Sequence, residues 1–221
     1  MSSFVFKKTL SWAILPYVRA SRGSVTDDNS SVYNSFRYLR QSRRKENCWP
    51  WRLYDQMGWD VCSPVDVVLE PLFDVEISAL LEEEEILSIA NSANLKELWR
   101  RGSSYIAFPS SNWLRLYDFD RDGKWVPMFT PNGQGTVEWN FGWSLSIPDD
   151  MAILTLGADN SIAGIDIPGG LILSKKAKDF VDFSIAINIK KRTVIRRGDV
   201  IARLVPVSKS VLKVSSEFID L

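Results

Sequence analysis

Near the end of the chain, Phe183-Ser-Ile-Ala-Ile-Asn-Ile-Lys190 sets Phe183, Ile185, Ile187 and Ile189 against Ser184, Ala186, Asn188 and Lys190. A period of two places the four apolar side chains on one face of a strand. That face needs a core. Residues 191–193 are polar enough for a bend, Val194 and Ile195 resume the extended run, and Gly198-Asp199 is a turn signal ahead of 200–207. Three short, tightly joined strands are not stable alone in water, so β-like segments earlier in the chain must close over them.

Those segments are frequent. Residues 105–108, 113–117, 125–129, 136–139, 143–147, 152–156, 164–167 and 170–173 read as strands punctuated by Pro, Gly, Asn and Asp. Upstream, 65–70 and 72–77 read as strands around Pro71, which ends or edges one of them. Apolar residues at helical spacings over 79–101 predict one helix, with Glu82 to Glu85 at its start and Lys96, Arg100 and Arg101 at its end, as the helix dipole favours. The expected fold is mainly β, a barrel or sandwich with one helix and an irregular Trp-rich N-terminal region. Residues 1–46 form an arm and linker, and 47–221 a single β-rich domain.

The totals exclude more than they suggest. With 45% apolar and 24% charged residues the composition is that of a soluble globular protein, and no apolar run approaches the roughly 20 residues of a membrane helix. Lysine plus arginine and aspartate plus glutamate both number 27, so net charge gives no general attraction to nucleic acid, and no membrane or nucleic-acid partner is expected. Charge is uneven locally: 1–55 carry ten basic and four acidic side chains, 66–85 eight acidic and no basic ones, a complementarity that reads as packing within or between subunits. Histidine is absent. That removes Ser-His and Cys-His nucleophile pairs, zinc-hydrolase sets and a near-neutral imidazole base. Cys48 and Cys62 make neither a disulfide framework nor a zinc site and read as buried thiols.

Lys7 and Lys8 before Leu10-Ser-Trp-Ala-Ile-Leu15 have the outline of a signal peptide, but the apolar stretch is short and no small-residue cleavage site follows. An intracellular, unsecreted protein, cytoplasmic or within an assembly, is expected. Residues 21–31 read as a polar linker. Over 32–44, Tyr33, Phe36 and Tyr38 alternate with Arg37, Arg40, Arg43 and Arg44. Such a pattern stacks on single-stranded bases, or forms an amphipathic segment with Val32, Phe36 and Leu39 inward, the favoured reading. Trp49, Trp51, Tyr54 and Trp59 crowd into 48–64 as a core plug or as a ring-stacking site for a sugar or base.

Asp118, Asp120, Asp122 and Gly123 match the opening of a calcium loop, whose alternating oxygens wrap a hard cation. Its closing glutamate would fall where Phe129 stands, and a hairpin turn at 121–124 accounts for the same residues. No metal is therefore expected.

Ala163-Gly-Ile-Asp166, followed after a β segment by Gly198-Asp-Val-Ile-Ala-Arg-Leu204, resembles the last part of the trimeric dUTPase and dCTP deaminase β-barrel family over about 147–207. The resemblance implies a dUTPase-like (β-clip) barrel and a homo-oligomer, a trimer. It matches Asp166 to the acid that positions the catalytic water, and Gly198-Asp199 to the turn closing the barrel. The chain departs from the family pattern: Ile167-Pro-Gly-Gly170 replaces its Tyr-Arg-Gly, no Arg-Ser-Gly appears near 156–161, and the glycine-rich C-terminal arm is absent. Those are the pieces that hold polyphosphate and magnesium. The expected function is a non-catalytic binding or structural protein on this scaffold, such as a component of a phage or other assembly, with no catalytic residue and no cofactor. Two alternatives stay open: a nucleotide hydrolase using Asp166 and Mg, and a carbohydrate- or base-binding module.

Overall fold

In a computed structural model, the structure describes residues 3–19, 49–110, 112–158, 162–173 and 181–215. The linker at 21–31, the arginine-aromatic stretch at 32–44 and Cys48 lie outside them.

The alternation that opens the sequence is realised. It forms β14 (Val181–Ile189), paired antiparallel with the longest strand, β10 (Thr136–Ser146), with Ile187 opposite Val137 and Ile185 opposite Trp139. Phe183, Ile185, Ile187 and Ile189 are all buried, as are Val137, Trp139, Phe141 and Trp143 on β10. The rings of Trp143 and Phe183 stack at 4.1 Å and 9°. Each such side chain contributes roughly 1.5–3 kcal/mol through burial, so this strand pair anchors the core. On the outer side of β10 lie β1 (Val5–Lys8) and β9 (Phe129–Gly133), and β12 (Ile165–Asp166) flanks β14.

A second sheet runs β13 (Gly170–Leu173), β11 (Met151–Gly157), β16 (Val200–Ser208) and β2 (Trp59–Cys62). Its inner residues Ile153, Ile201, Leu204 and Val61 join the first sheet's aromatics in one apolar cluster. The two sheets share a core without closing into a barrel: among the described residues β1, β12, β13 and β2 remain edges. The three C-terminal strands also do not form one joined unit. Between β14 and β16, β15 (Thr193–Ile195) pairs with β3 (Val67–Leu69), so consecutive strands enter three different sheets. Short polar bends let the chain change layers, because Ile189, Ile195 and Ile201 each need the same core from a different side.

Two segments differ from their expected form. The helix is shorter: α2 (Glu83–Ser92), counted after α1 (Trp49–Gln56), starts at a capping box in which the Glu82 amide donates to Glu85 Oε2 at 3.2 Å. It stops at Asn94, whose φ of 54° leaves the helical region. Beyond it, β5 (Glu97–Arg101) sits beside β6 (Ser104–Phe108), itself paired with β4 (Val75–Ser78). Lys96, Arg100 and Arg101 therefore do not complement a helix end. Leu98 packs into a small cluster with Ile86 and Ala90, whereas its neighbour Trp99 packs into the main core, an opposition that only a strand allows. The expected strand at 113–117 is instead the one-turn α3 (Asn112–Leu116). Trp113 and Leu114 are buried together while Leu116 is 73% exposed, and adjacent buried residues suit a helical turn rather than alternation.

Beside the core, the second half of β10 bulges between Asn140 and Ser144. Gly142 sits there at φ 70°, its carbonyl accepting from the amides of Thr9 and Leu10, and a Cβ would meet the Trp12 ring at 2.7 Å. Only glycine fits this approach.

Candidate functional site

The outward side of the β10–β14 pair is polar because the alternation that buries Trp139 and Ile187 turns their neighbours to the other face. Asp166, Asn188 and Thr136 form one row across three strands. Glu138 with Ala186, then Asn140 with Ser184, make the next two rows. Neighbours within a row are about 5 Å apart and rows about 7 Å, so the face offers a grid of carboxylate, amide and hydroxyl groups.

Two arginines from other sheets border it. Arg101 on β5 pairs with Glu138 and donates to Asn132 Oδ1 at 2.9 Å. The Ser184 hydroxyl donates to the other Glu138 oxygen. Arg121, on the hairpin of β7 (Phe119–Arg121) and β8 (Lys124–Val126), pairs with Asp182 at 2.8 Å. Asp166 is exposed, and the side chain of neither Asp166 nor Asn188 makes a hydrogen bond to another described residue.

A second charged cluster lies on the back of the β11–β16–β2 sheet. Arg203 is 1% exposed, stacks on the Tyr54 ring at 4.3 Å and donates to the carbonyls of Tyr54, Asp55 and Met57. Arg19 reaches Asp55 at 2.7 Å and both oxygens of Asp60 at 2.9 and 3.1 Å. These groups satisfy one another and fasten α1 and residues 15–19 to the sheet. Below them, burial raises the Cys62 thiol pKa above its usual range, an effect the hydrogen bond with Tyr17 opposes.

The predicted site residues are scattered. Trp59 packs under Phe4 and Phe6 at 5.2 and 5.0 Å, Tyr54 is occupied by Arg203, and Trp49 is 69% exposed on α1; of Trp51 only the backbone is described. Asp118 immediately precedes the β7–β8 hairpin, its amide donating to the Arg115 carbonyl, and Asp120 and Asp122 belong to that hairpin. Asp122 and Gly123 take positive φ at its turn, and Asp120 Oδ1 accepts the Gly123 amide at 2.8 Å. Burial raises the Asp118 pKa, which nearby Arg115 partly offsets. The acidic stretch 66–85 does not meet the basic groups of 1–55 among the described residues; its one ion pair joins Glu70 to Arg192. Glu138 and Ser184 are positions the sequence could have revealed, since Thr136, Glu138 and Asn140 alternate with Val137, Trp139 and Phe141. Arg101 could not be placed there while 96–101 read as helix.

No family model and no curated protein matches the chain. Solved structures similar to it include a dUTPase variant from phage phi11 of S. aureus, described with a structural Mg(II) ion. It is 12% identical with a TM-score of 0.42, and the alignment covers 100% of this chain and 97% of that one. A dUTPase variant of Staphylococcus bacteriophage 80alpha, solved with dUpNHpp, is 13% identical with a TM-score of 0.39, covering 100% and 89%. Another phi11 dUTPase structure is 13% identical with a TM-score of 0.40, covering 100% and 96%. The likeness is a distant one in fold, and says nothing of chemistry.

Proposed function

We propose that this chain is a non-catalytic binding or structural protein, a self-associating component of a phage or other assembly. The observation that carries the reading is the state of the carboxylates on the polar face. Glu138 and Asp182 are neutralised by Arg101 and Arg121, and Asp166 stands exposed with Asn188, an amide, opposite it. A base that activates water gains from a partner that tunes or orients it, and Asp166 has none among the described residues. The donor set does not suit magnesium either: no three carboxylates or thiols gather as metal ligands among the described residues.

The grid of Asn188, Thr136, Ser184 and Asn140 instead suits recognition of a polar surface. Incubating the protein with each dNTP and magnesium while following pyrophosphate release tests this reading. No release, with Asp166→Asn behaving as the parent, is expected. Release abolished by Asp166→Asn establishes the hydrolase. A ligand of the tryptophan-rich stretch would quench emission from exposed Trp49, so a glycan and nucleotide panel read by fluorescence tests the carbohydrate- or base-binding alternative.

A further inference from the structure

Two elements hold aliphatic side chains out to solvent, and they are opposite in charge. The first is the outer flank of α2. Leu81 and Ile89, 38% and 39% exposed, line an open groove of about 440 Å³ together with Glu84, Glu85 and Ser88. Residues 79–95 hold four glutamates, Glu82 to Glu85, and no basic side chain, and none of the four is ion-paired to a described residue. The second is the 3₁₀ turn Lys209–Lys213 that follows β16, in which no residue is buried. Its Val211 and Leu212 are 49% and 57% exposed, and Val214 beyond them stands out further still. Residues 205–215 hold two lysines and no acidic side chain, and neither lysine is ion-paired to a described residue. The turn is nevertheless fixed in place: the Lys209 amide donates to the Asp150 carbonyl, and the Ser208 hydroxyl accepts the Ser210 amide at 3.2 Å. A capped turn that buries none of its own aliphatic side chains is shaped to present them.

We propose that these two elements bind each other between copies of the chain. Val211 and Leu212 of one copy enter the groove between Leu81 and Ile89 of the next, and Lys209 and Lys213 meet Glu84 and Glu85. The inference rests on the reading of the chain as a self-associating component and gives that association a surface and a direction. Within one copy the groove stands open while the turn stands exposed, so the occupant is a second copy. Each surface is apolar at its centre with charge of one sign around it, and the two signs are opposite. Because the surfaces differ, the contact is head to tail: every copy keeps one groove and one turn, so copies add in sequence into a ring or filament rather than stopping at a two-fold dimer. One short turn in a groove buries less than the roughly 1,200 Å² of a stable interface, so each contact is weak alone and is reinforced by closure or repetition.

Sedimentation velocity of the full chain over a concentration series tests this. The expected result is a mass that rises with concentration at low salt and falls back in 1 M NaCl, where the Debye length is about 3 Å. Ile89→Ser and Leu212→Ser should each weaken association about tenfold. Glu84→Lys and Lys213→Glu should each weaken it several-fold, and an equal mixture of those two variants should associate as the parent does, since each reversed surface then meets its complement. All four replaced side chains are exposed, and Glu85 is left in place because its carboxylate accepts the Glu82 amide, so melting temperature and far-ultraviolet dichroism should match the parent. Association that none of the four substitutions moves overturns this contact and leaves the self-associating reading standing. A mixture that stays dissociated overturns the pairing of the two elements. A chain that remains monomeric throughout the series overturns both the contact and that reading.

Discussion

Arg101 on β5 and Glu138 on β10 are ion-paired although their strands belong to different sheets. The pair ties the small helix-bearing sheet to the main one at the rim of the polar face. Both side chains are about one-third exposed, so its worth is modest, about 0.5 kcal/mol. Glu138→Gln should lower stability by about that amount in urea titration at low salt. The difference should shrink in 1 M NaCl, where the Debye length is about 3 Å.

Arg203 is a different case, because its guanidinium is enclosed and serves three carbonyls. Arg203→Ala strands those acceptors and leaves Asp55, 4.0 Å from the guanidinium, with less compensation. A loss of about 3–5 kcal/mol is expected, read as a fall in Tm of the order of 10 °C. Arg203→Lys should recover only part of it, since an ammonium cannot reproduce the planar stack on Tyr54.

At the β10 bulge, Gly142→Ala combines a left-handed backbone with a collision against Trp12, and should cost roughly 2–4 kcal/mol. Gly123→Ala is the control: its φ is 78°, yet a Cβ there meets nothing within 4 Å, so only about 1 kcal/mol of backbone strain is expected. Parallel thermal melts separate the two contributions.

Asp74 accepts the Gly135 amide at 3.0 Å beneath the β9–β10 turn, while burial, reinforced by nearby Glu76, raises its pKa. A carboxyl whose folded pKa lies above its unfolded value of about 3.9 binds its proton more tightly in the fold. Its contribution to stability is therefore full at pH below about 3.9 and is lost as pH rises through the folded pKa. Asp74→Asn keeps the acceptor and removes the charge. Its Tm should exceed the parent's at pH 7, and the advantage should fade as pH is lowered toward 4.

The strands at the centre of the fold were legible because alternation reports burial directly: Phe183 to Ile189 and Val137 to Phe141 behave as their pattern requires. Pairing partners were not. Nothing local distinguishes a β14–β15–β16 meander from strands distributed over three sheets, since the choice depends on which partner buries each face. The helix boundary failed at 96–101 because apolar Leu98 and Trp99 are adjacent, and adjacency fits a helix flank as well as a strand between two cores. The polar face was half visible, its β10 and β14 residues by period, its arginines not at all.

Because Leu98 and Trp99 serve separate clusters from opposite sides of one strand, β5 is a wall common to both. No single cut through the chain lifts the helix-bearing portion away intact. A fragment lacking β5 would leave each half with an open flank, so this protein should resist dissection into smaller folding units even though its layers look separable.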